Sequence, residues 1–443
     1  HSLPVNLWGT FWTSGTILYA RLIRSTMLRQ LLRKFLRTTL VQWQSKCGYK
    51  NFVMNATLAN LEKQCEQYCF VPRVPLRKVT IVGAGSDVGR ITCLFLKQQK
   101  IIRILALYDT DPEQNVFGVA TDIAHLDTSP TVLAFQGRKF LRTALEDADV
   151  VLICGGCYML PPCCNTTDRD LFFENMQFVG TVTKACAKFA PNAIIAVQTP
   201  PVDANFALVK YTLIKLEKYN KRKVMGVNAV NAMRANQLFS VMVGRDPCKT
   251  YLPIICGTGR CTRVPCFSWS AESTLSTRLT RLVREADDII CKVKSNNEQG
   301  HLSIGFSTAR FVTNLMKGLF ERPAFVDSVL VDQDSPSECY KMKTCATPVM
   351  VGKDGITKYL VPKINCCERE LLENSKCDLE DMLNLGRCYA LGEEYTEHPL
   401  KVGYCVAQPN CPVVSPCESS TVSAETNVRV DDSFLCDCQR PVK

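Results

Sequence analysis

Histidine is scarce in this chain, whereas cysteine is abundant. Only four of the 443 residues are histidine, and 25 are cysteine. The closely spaced cysteines are Cys154 with Cys157, Cys163 with Cys164, and Cys436 with Cys438. A structural zinc site needs two ligand pairs at compatible spacing, and these pairs do not provide one. We therefore predict no metal site and interpret the cysteines as small buried hydrophobic residues. Intermolecular disulfides stay an alternative if the compartment is oxidising.

Long apolar runs are also missing. No stretch reaches the ~18 apolar residues of a membrane span, so we predict no span. The hydrophobic content of 46% and the charged content of 21% are ordinary for a soluble globular protein. The length suffices for two domains.

Acidic residues are absent from the start of the chain. Residues 1–76 hold ten Lys/Arg but only two acidic residues, whereas residues 77–443 hold 43 basic and 40 acidic residues. The net charge of +11 is therefore concentrated before the body of the chain. A near-neutral body lacks the basic footprint of a nucleic-acid-binding protein, so we predict no nucleic-acid partner.

The basic segment has an amphipathic pattern at residues 27–40. Arg29, Arg33 and Arg37 share one helical face, opposite Leu28, Leu31, Leu32 and Phe35. An Arg-rich, acid-poor amphipathic helix is typical of a mitochondrial transit peptide, which predicts a mitochondrial, matrix location. The alternative is a surface helix of the mature protein. Because the chain starts with His1, either it is a fragment or residues 1–26 precede a true start at Met27.

Strands and helices alternate in the next part of the chain. Apolar strands are predicted at residues 77–82, 104–109, 150–154 and 193–197, and helices at 89–97 and 175–189. This alternation predicts an α/β fold with a Rossmann-type doubly wound parallel sheet. After residue 226, longer helices and interspersed strands predict a mixed α/β domain.

Four regions follow from these patterns. They are an N-terminal extension at 1–76, a dinucleotide-binding domain at 77–225, a second α/β domain at 226–388 and a tail at 389–443. The tail holds five prolines and five cysteines with little periodicity, so we expect it to be loosely ordered.

The turn after the first strand carries a glycine motif, Gly83-Ala-Gly-Ser-Asp-Val-Gly89. Such glycines let the backbone turn sharply and approach a pyrophosphate at a helix N-terminus. Asp109 ends the next strand, 26 residues after Gly83, where a carboxylate binds the adenosine ribose and favours NAD over NADP. We therefore predict NAD binding by Gly83, Gly85, Gly89 and Asp109. Asp87 would repel a pyrophosphate and weaken this binding unless it points away.

Several longer segments resemble the mitochondrial-type malate dehydrogenases of the lactate/malate dehydrogenase family. Gly118-Val-Ala-Thr-Asp-Ile-Ala-His-Leu-Asp-Thr128 is similar to the family's Gly-Val-Ala-Ala-Asp-Leu-Ser-His-Ile-Glu-Thr. Further matching segments lie at residues 226–236, 253–262, 307–312 and 346–352. The resemblance runs from about Lys78 to Cys388. It implies a dinucleotide domain followed by a substrate domain, NAD-dependent interconversion of malate and oxaloacetate, and a homodimer.

The residues that carry this reaction in the family are replaced here. The family uses a histidine base, an aspartate behind it, an asparagine and two loop arginines that hold a dicarboxylate. The corresponding positions hold, in that order, Thr258, Asn231, Pro200, Met159 and Asp168. A threonine hydroxyl does not titrate near pH 7, and a proline side chain has no donor. The replacements predict that catalysis is lost.

Two arginines are candidate remnants of the substrate site. The resemblance assigns Arg234 to the carboxylate beside the reacting carbon, although an ion pair within the fold is an alternative. The substrate loop is about three residues longer than in the family, so Arg169 could replace the arginine lost at Asp168 if the register slips. His125 also matches a family histidine, but we expect it to be a packed or interface residue.

Three hypotheses follow. In the first, the chain is a catalytically inactive homologue with a structural or NAD-binding role and with mitochondrial protein partners. In the second, it is an active 2-hydroxy acid dehydrogenase with an altered substrate or a new base, such as the thiolate of Cys256 or Cys261 activated by Arg260. In the third, it reduces oxaloacetate as its relatives do.

Overall fold

The computed structural model describes residues 76–160, 167–267, 273–295, 298–334 and 341–395. The predicted targeting segment at 27–40 lies outside the described residues, as does the tail beyond Tyr395. The same holds for Cys163, Cys164, Cys436 and Cys438.

The first half of the described chain is a parallel sheet with helices between its strands. Its elements are β1 (Lys78–Val82), α1 (Asp87–Lys97), β2 (Ile104–Asp109), α2 (Val116–Ala124), β3 (Thr131–Gln136), α3 (Leu141–Leu145), β4 (Val150–Ile153), α4 (Asp168–Phe189), β5 (Ile194–Val197), α5 (Val202–Lys215) and β6 (Val224–Val227). The strand order β3-β2-β1-β4-β5-β6 is that of a doubly wound dinucleotide-binding fold. The predicted fold class is confirmed.

The second half continues the same sheet with antiparallel strands. Its elements are α6 (Ala229–Val243), β7 (Ile254–Cys256), β8 (Arg263–Pro265), α7 (Ser273–Val293), α8 (His301–Phe320), β9 (Ala324–Asp332), β10 (Thr344–Gly352), β11 (Gly355–Tyr359) and α9 (Cys366–Leu391). The order continues β6-β9-β10-β7-β8, and β11 pairs with β10. The turn between β7 and β8 contains Thr258.

The central strands form from short runs of residues that are buried on both faces of the sheet. All five residues of β1 and all four of β4 are buried. Parallel strands covered by helices on both faces read as continuous apolar runs rather than as alternating patterns. The two strands pair through Val79 and Val150 and so bring the glycine turn beside the end of β4.

Two helix boundaries differ from the sequence prediction, for local reasons. Helix α4 begins at Asp168 rather than at residue 175, because Thr167 and Asp170 form a capping box there. Helix α9 extends to Leu391, which takes the first residues of the predicted tail, and stops where Gly392 adopts a left-handed conformation.

None of the described helices combines the length and the apolar character needed to cross a membrane.

Candidate active site

The glycine turn between β1 and α1 has no room for side chains. Gly83 has a φ of +95°, and a Cβ there would lie 2.1 Å from the backbone of Gly155. A Cβ on Gly85 would lie 2.5 Å from Gln114, and one on Gly89 would lie 2.2 Å from the Gly83 carbonyl oxygen. These contacts bring β1, α1 and β4 together. Ser86 caps α1 by accepting a hydrogen bond from the Gly89 amide, and the glycines let the backbone approach a pyrophosphate at this helix N-terminus.

Asp109 lies against this turn. The residue is 6% exposed, and its Oδ2 accepts a hydrogen bond of 3.0 Å from the Gly85 amide. Burial raises the pKa of Asp109, while the amides of Asp111 and Gly85 oppose the change. The structure therefore brings all four predicted cofactor residues together. They fit NAD: the turn would hold the pyrophosphate, and Asp109 would bind the ribose hydroxyls.

Asp87 lies at the first position of α1, and its side chain is 61% exposed. Its carboxylate is 3.4 Å from Nδ1 of His301, the first residue of α8. Burial lowers the pKa of His301, although Asp87 opposes this shift. Because an imidazole with a lowered pKa is mainly neutral at pH 7, His301 does not supply a cation to offset the carboxylate of Asp87 beside the turn.

Thr258 is fixed by a carboxylate that the sequence analysis did not single out. The Thr258 hydroxyl donates to Asp203 Oδ1 over 2.8 Å, and its amide donates to the same atom over 2.9 Å. The Gly259 amide and the Thr262 hydroxyl donate to Asp203 Oδ2. Burial raises the pKa of Asp203, and these four donors oppose the shift. Asp203 therefore holds the β7–β8 turn in place.

Asn231 stands at the position where the family has an aspartate, and it is part of a buried polar network. Its Nδ2 donates to the Thr258 carbonyl oxygen over 3.1 Å. Its Oδ1 accepts a 2.7 Å hydrogen bond from Nη1 of Arg263, which is 4% exposed. A fixed guanidinium therefore lies beside Asn231, and an added histidine cation would meet its positive charge.

Arg263 and Arg234 share one carboxylate, that of Asp287. Arg234 Nη1 lies 2.6 Å from Asp287 Oδ1, and Arg263 Nη2 lies 3.0 Å from Oδ2. Although desolvation opposes it, the two guanidiniums hold the pKa of Asp287 well below its usual range. Arg234 therefore forms the ion pair within the fold through one nitrogen atom, Nη1. Nε and Nη2 are buried and have no hydrogen-bond partner within the described residues.

Asp168 faces the β7–β8 turn from the start of α4. Its Oδ2 lies 3.4 Å from the point where a Cβ on Gly259 would stand, and Asp203 Oδ2 lies 3.5 Å from that point. Although the residue is exposed, the protein atoms around the carboxylate and then Asp203 raise the pKa of Asp168 to about 6. Where the family carries a loop arginine, this site presents a carboxylate.

Met159 and Pro200 make apolar and backbone contacts only. Met159 Sδ lies 3.8 Å from Cys291 Sγ on α7. The carbonyl oxygen of Pro200 accepts hydrogen bonds from Asn175 and Asn205 over 2.7 and 3.0 Å. Neither side chain supplies a donor for a substrate carboxylate.

Arg169 does not replace the lost arginine. Its Nη2 lies 2.8 Å from Asp381 Oδ2 on α9, and its guanidinium lies over the ring of Tyr395. The capping box at Thr167 fixes the register of α4 and directs Arg169 to Asp381, so this geometry does not support the alternative in which Arg169 substitutes for the lost arginine.

His125 is exposed at the C-terminal end of α2, where Nδ1 lies 2.7 Å from the Thr121 carbonyl oxygen. Within the described residues His125 is therefore not packed, and the interface alternative stays a prediction. His125 is not among the residues that contact Thr258.

The cysteines near Thr258 do not form a thiolate base. Cys256 is fully buried, and burial raises its pKa well above the ordinary value. Cys261 is disulfide-bonded. Arg260, the expected activating cation, lies 2.6 Å from Asp288. Cys154, at the end of β4, is fully buried, as expected of a small hydrophobic residue, whereas its pair mate Cys157 is half-buried. The expectation fails for four exposed cysteines of the described chain, Cys248, Cys366, Cys367 and Cys377.

Sequence reasoning missed Asp203, Arg263, Asp287 and His301. Two of them left a signal: Asp203 is a charge at the start of an apolar helix, and Arg263 is a charge in a short buried strand. Asp287 lies within a highly charged helix, where one acidic residue does not stand out.

Comparisons with known proteins agree with this geometry. The model for the NAD-binding domain of lactate/malate dehydrogenases matches residues 77–226. The model for the alpha/beta C-terminal domain of the same enzymes matches residues 231–388. The mitochondrial malate dehydrogenases of Homo sapiens and Pongo abelii are each 30% identical over 315 residues, which cover 70% of this chain and 90% of theirs.

Solved structures share the fold at lower identity. Malate dehydrogenase from Picrophilus torridus gives a TM-score of 0.61 at 17% identity and covers 71% of this chain and 98% of its own. Lactate dehydrogenase from Eimeria maxima with NADH and oxamate gives a TM-score of 0.61 at 19% identity, over 74% of this chain and 100% of its own.

Proposed function

Because this chain belongs to the lactate/malate dehydrogenase family, we propose that it is a malate dehydrogenase-like protein that binds NAD and has lost the family's catalysis. The single observation that carries the proposal is the Thr258–Asp203 hydrogen bond. It places a non-titrating hydroxyl where the resemblance puts the proton carrier. The hydroxyl hydrogen is already committed to a buried carboxylate.

The surrounding network adds to the loss. Removing a general base typically costs a factor of about 10²–10⁴ in rate. The changes at Met159, Pro200 and Asp168 also remove substrate positioning, which is a separate and comparably large contribution. A neighbour can compensate for one replacement, but the family's side chains at these positions act on different parts of the substrate, so one neighbour does not compensate for all.

NAD binding is supported by the glycine turn and Asp109, and we propose that Asp87 weakens it. The exposed carboxylate of Asp87 lies at the helix N-terminus that would receive the pyrophosphate. Its like charge reduces the advantage of the helix dipole.

The test is a pair of assays on one purified preparation. NADH binding is followed by its fluorescence, and NADH oxidation with oxaloacetate by absorbance. We expect binding without turnover. Turnover within about tenfold of the ordinary range of 1–10³ s⁻¹ would contradict the loss of catalysis, and no binding at millimolar NADH would contradict the cofactor role.

A second candidate function is an active dehydrogenase with an altered base, and Asp168 favours it. Its carboxylate reaches the turn that carries Thr258, and its pKa of about 6 suits proton transfer near neutral pH. Assays with a series of 2-oxo acids test this candidate. NADH oxidation that disappears in Asp168→Asn but persists in Asp354→Asn would support it over the first proposal.

We propose a mitochondrial location, in the matrix. The Arg-rich pattern at residues 27–40 and the mitochondrial relatives support it. A fluorescent fusion of the whole chain should reach mitochondria, whereas Arg29→Glu with Arg33→Glu should not. Equal import of both fusions would contradict the proposal.

We also propose a homodimer, since the resemblance implies one. Helices of the described chain expose large apolar residues, namely Phe117, Val241, Val293 and Leu302. Light scattering on the purified protein should give twice the chain mass of 49.6 kDa. A monomer at micromolar concentration would rule this out.

A further inference from the structure

Arg234 has two donors without a protein partner. The residue is 8% exposed, and only Nη1 is paired, with Asp287. Nε and Nη2 are buried and unpartnered within the described residues. These two nitrogens form the side-on fork of a guanidinium, which matches the two oxygens of a carboxylate. Leaving a buried donor unpaired destabilises the protein, so the arrangement suits a ligand that supplies the missing acceptor.

The N-terminus of α8 faces the same fork. A Cβ on Gly300, the residue before α8, would lie 3.0 Å from Nη2 of Arg234. Gly300 has no side chain to cap the helix. The amides and dipole of a helix N-terminus favour an anion. Arg234 and α8 therefore form one anion-binding position.

The other end of the site has the opposite charge. Asp168 makes no hydrogen bond or ion pair with the described residues, and its Oδ2 points to the turn beside Thr258. Asp168 is near enough to interact with Asp287, the partner of Arg234. The guanidiniums of Arg263 and Arg260 also interact with Asp168, but they are paired with Asp287 and Asp288. A second ligand carboxylate at this end would therefore meet the carboxylate of Asp168 and guanidiniums that already have acidic partners.

We propose that the site binds a small zwitterion, with its carboxylate at Arg234 and the N-terminus of α8 and its ammonium group at Asp168. This inference rests on the proposed function, because the ligand takes the place of the family's dicarboxylate in a site that does not turn it over. The negative charge of Asp168 makes the site prefer a zwitterion to a dicarboxylate.

A purely structural role for Asp168 is less consistent with its surroundings. An acidic residue in the first turn of a helix does interact well with the helix dipole. The capping box of α4, however, is made by Thr167 and Asp170, so the cap does not need Asp168. The Asp168 carboxylate is directed to another element, at Gly259.

Three ligands of equal chain length test the proposal: 4-aminobutyrate, butyrate and succinate. Isothermal titration calorimetry on the full chain compares their dissociation constants. We expect 4-aminobutyrate to bind about tenfold or more tightly than succinate, because one charge-assisted hydrogen bond contributes about 1.5–3 kcal/mol. Butyrate should lie between them, since it has the carboxylate alone.

Two variants assign the ends of the ligand. Asp168→Asn should bring 4-aminobutyrate to the level of butyrate, and Asp168→Arg should reverse the preference toward succinate. Arg234→Lys keeps the charge beside Asp287 but loses the fork, so it should weaken all three ligands. Asp354→Asn, an exposed turn residue away from the site, is the matched control and should leave all constants unchanged.

The proposal is overturned if succinate binds as well as 4-aminobutyrate, or if Asp168→Asn leaves the preference unchanged. Absence of binding by all three ligands at about 10 mM, far above a typical micromolar to millimolar constant, overturns it as well. These results do not depend on turnover. NADH-dependent reduction of oxaloacetate would instead contradict the proposed function, whatever the three constants are.

Discussion

Thr258 is part of a buried polar network and is not an isolated substitution. Thr258 donates to Asp203, Asn231 donates to the Thr258 carbonyl oxygen, and Arg263 donates to Asn231. The replaced positions were predictable, because each lies in a motif with a recognisable counterpart. Their new partners were not, because Asp203 lies 55 residues from Thr258 and Arg263 lies 32 residues from Asn231 along the chain, and each pair meets only in the fold.

Thr258→His alone should not restore activity. The imidazole would meet the Asp203 carboxylate, which already accepts hydrogen bonds from the Thr258 and Gly259 amides, and would find the amide of Asn231 where the family has an aspartate. The guanidinium of Arg263, bonded to Asn231, would oppose an imidazolium. Substrate positioning would still be missing. We expect a turnover number with oxaloacetate roughly a hundredfold or more below the ordinary range of about 1–10³ s⁻¹.

The control is Thr258→Ser, which keeps the hydroxyl donor and should match the wild type in circular dichroism. Restoration of ordinary turnover by Thr258→His would mean that Asp203 already acts as a working partner for a histidine.

Asp287→Asn should destabilise the protein by about 2–4 kcal/mol. A neutral amide would leave two buried guanidiniums without a counter-charge, which costs about 3–5 kcal/mol for a fully buried pair and less here, because the carboxylate is 33% exposed. Urea unfolding at pH 7 measures the difference.

The acid dependence provides the check on this assignment. Since the pKa of Asp287 is depressed by folding, its contribution is present above the unfolded value of about 4 and is lost as the pH falls further. The difference in the free energy of unfolding between wild type and Asp287→Asn should therefore become smaller in acid. A difference in the free energy of unfolding that does not change with pH would contradict a role for the charge of Asp287.

At the scale of elements, the sheet was more predictable than its helix boundaries. Buried parallel strands leave a simple signature of short apolar runs, and the strands at 104–109 and 150–153 lie where the pattern placed them. Helix α4 was placed too late, because its first residues are polar and only the capping box at Thr167 identifies its start. That boundary also sets the direction of Arg169 and the position of Asp168.

Asp87→Asn at the first turn of α1 should tighten NADH binding about fivefold. Removing an exposed charge beside a phosphate changes the interaction by about 1 kcal/mol. Fluorescence titration with NADH measures the constant, and Asp122→Asn on α2 is an exposed control of the same type. Unchanged or weaker binding in Asp87→Asn would show that Asp87 does not oppose the cofactor.

At the scale of the whole molecule, the chain keeps the fold of a dehydrogenase, and we propose that the charges of its substrate site differ from those of the family. The parallel half, with its glycine turn and Asp109, retains what a dinucleotide requires. The antiparallel half supplies Thr258 and Arg263, and α7 supplies Asp287. The sequence could predict the first half in detail, because cofactor recognition uses local motifs. For the second half, the sequence could predict which family residues are replaced. It could not predict the network that the new residues form, because that network joins distant elements.

The most direct test of the lost catalysis is hydride transfer itself. The protein is incubated with oxaloacetate and NADH deuterated on the transferred position, and malate is analysed by mass spectrometry after many hours. We predict no deuterated malate above a protein-free blank, even when fluorescence shows that NADH is bound. Deuterated malate that accumulates in proportion to protein concentration and time would contradict the account.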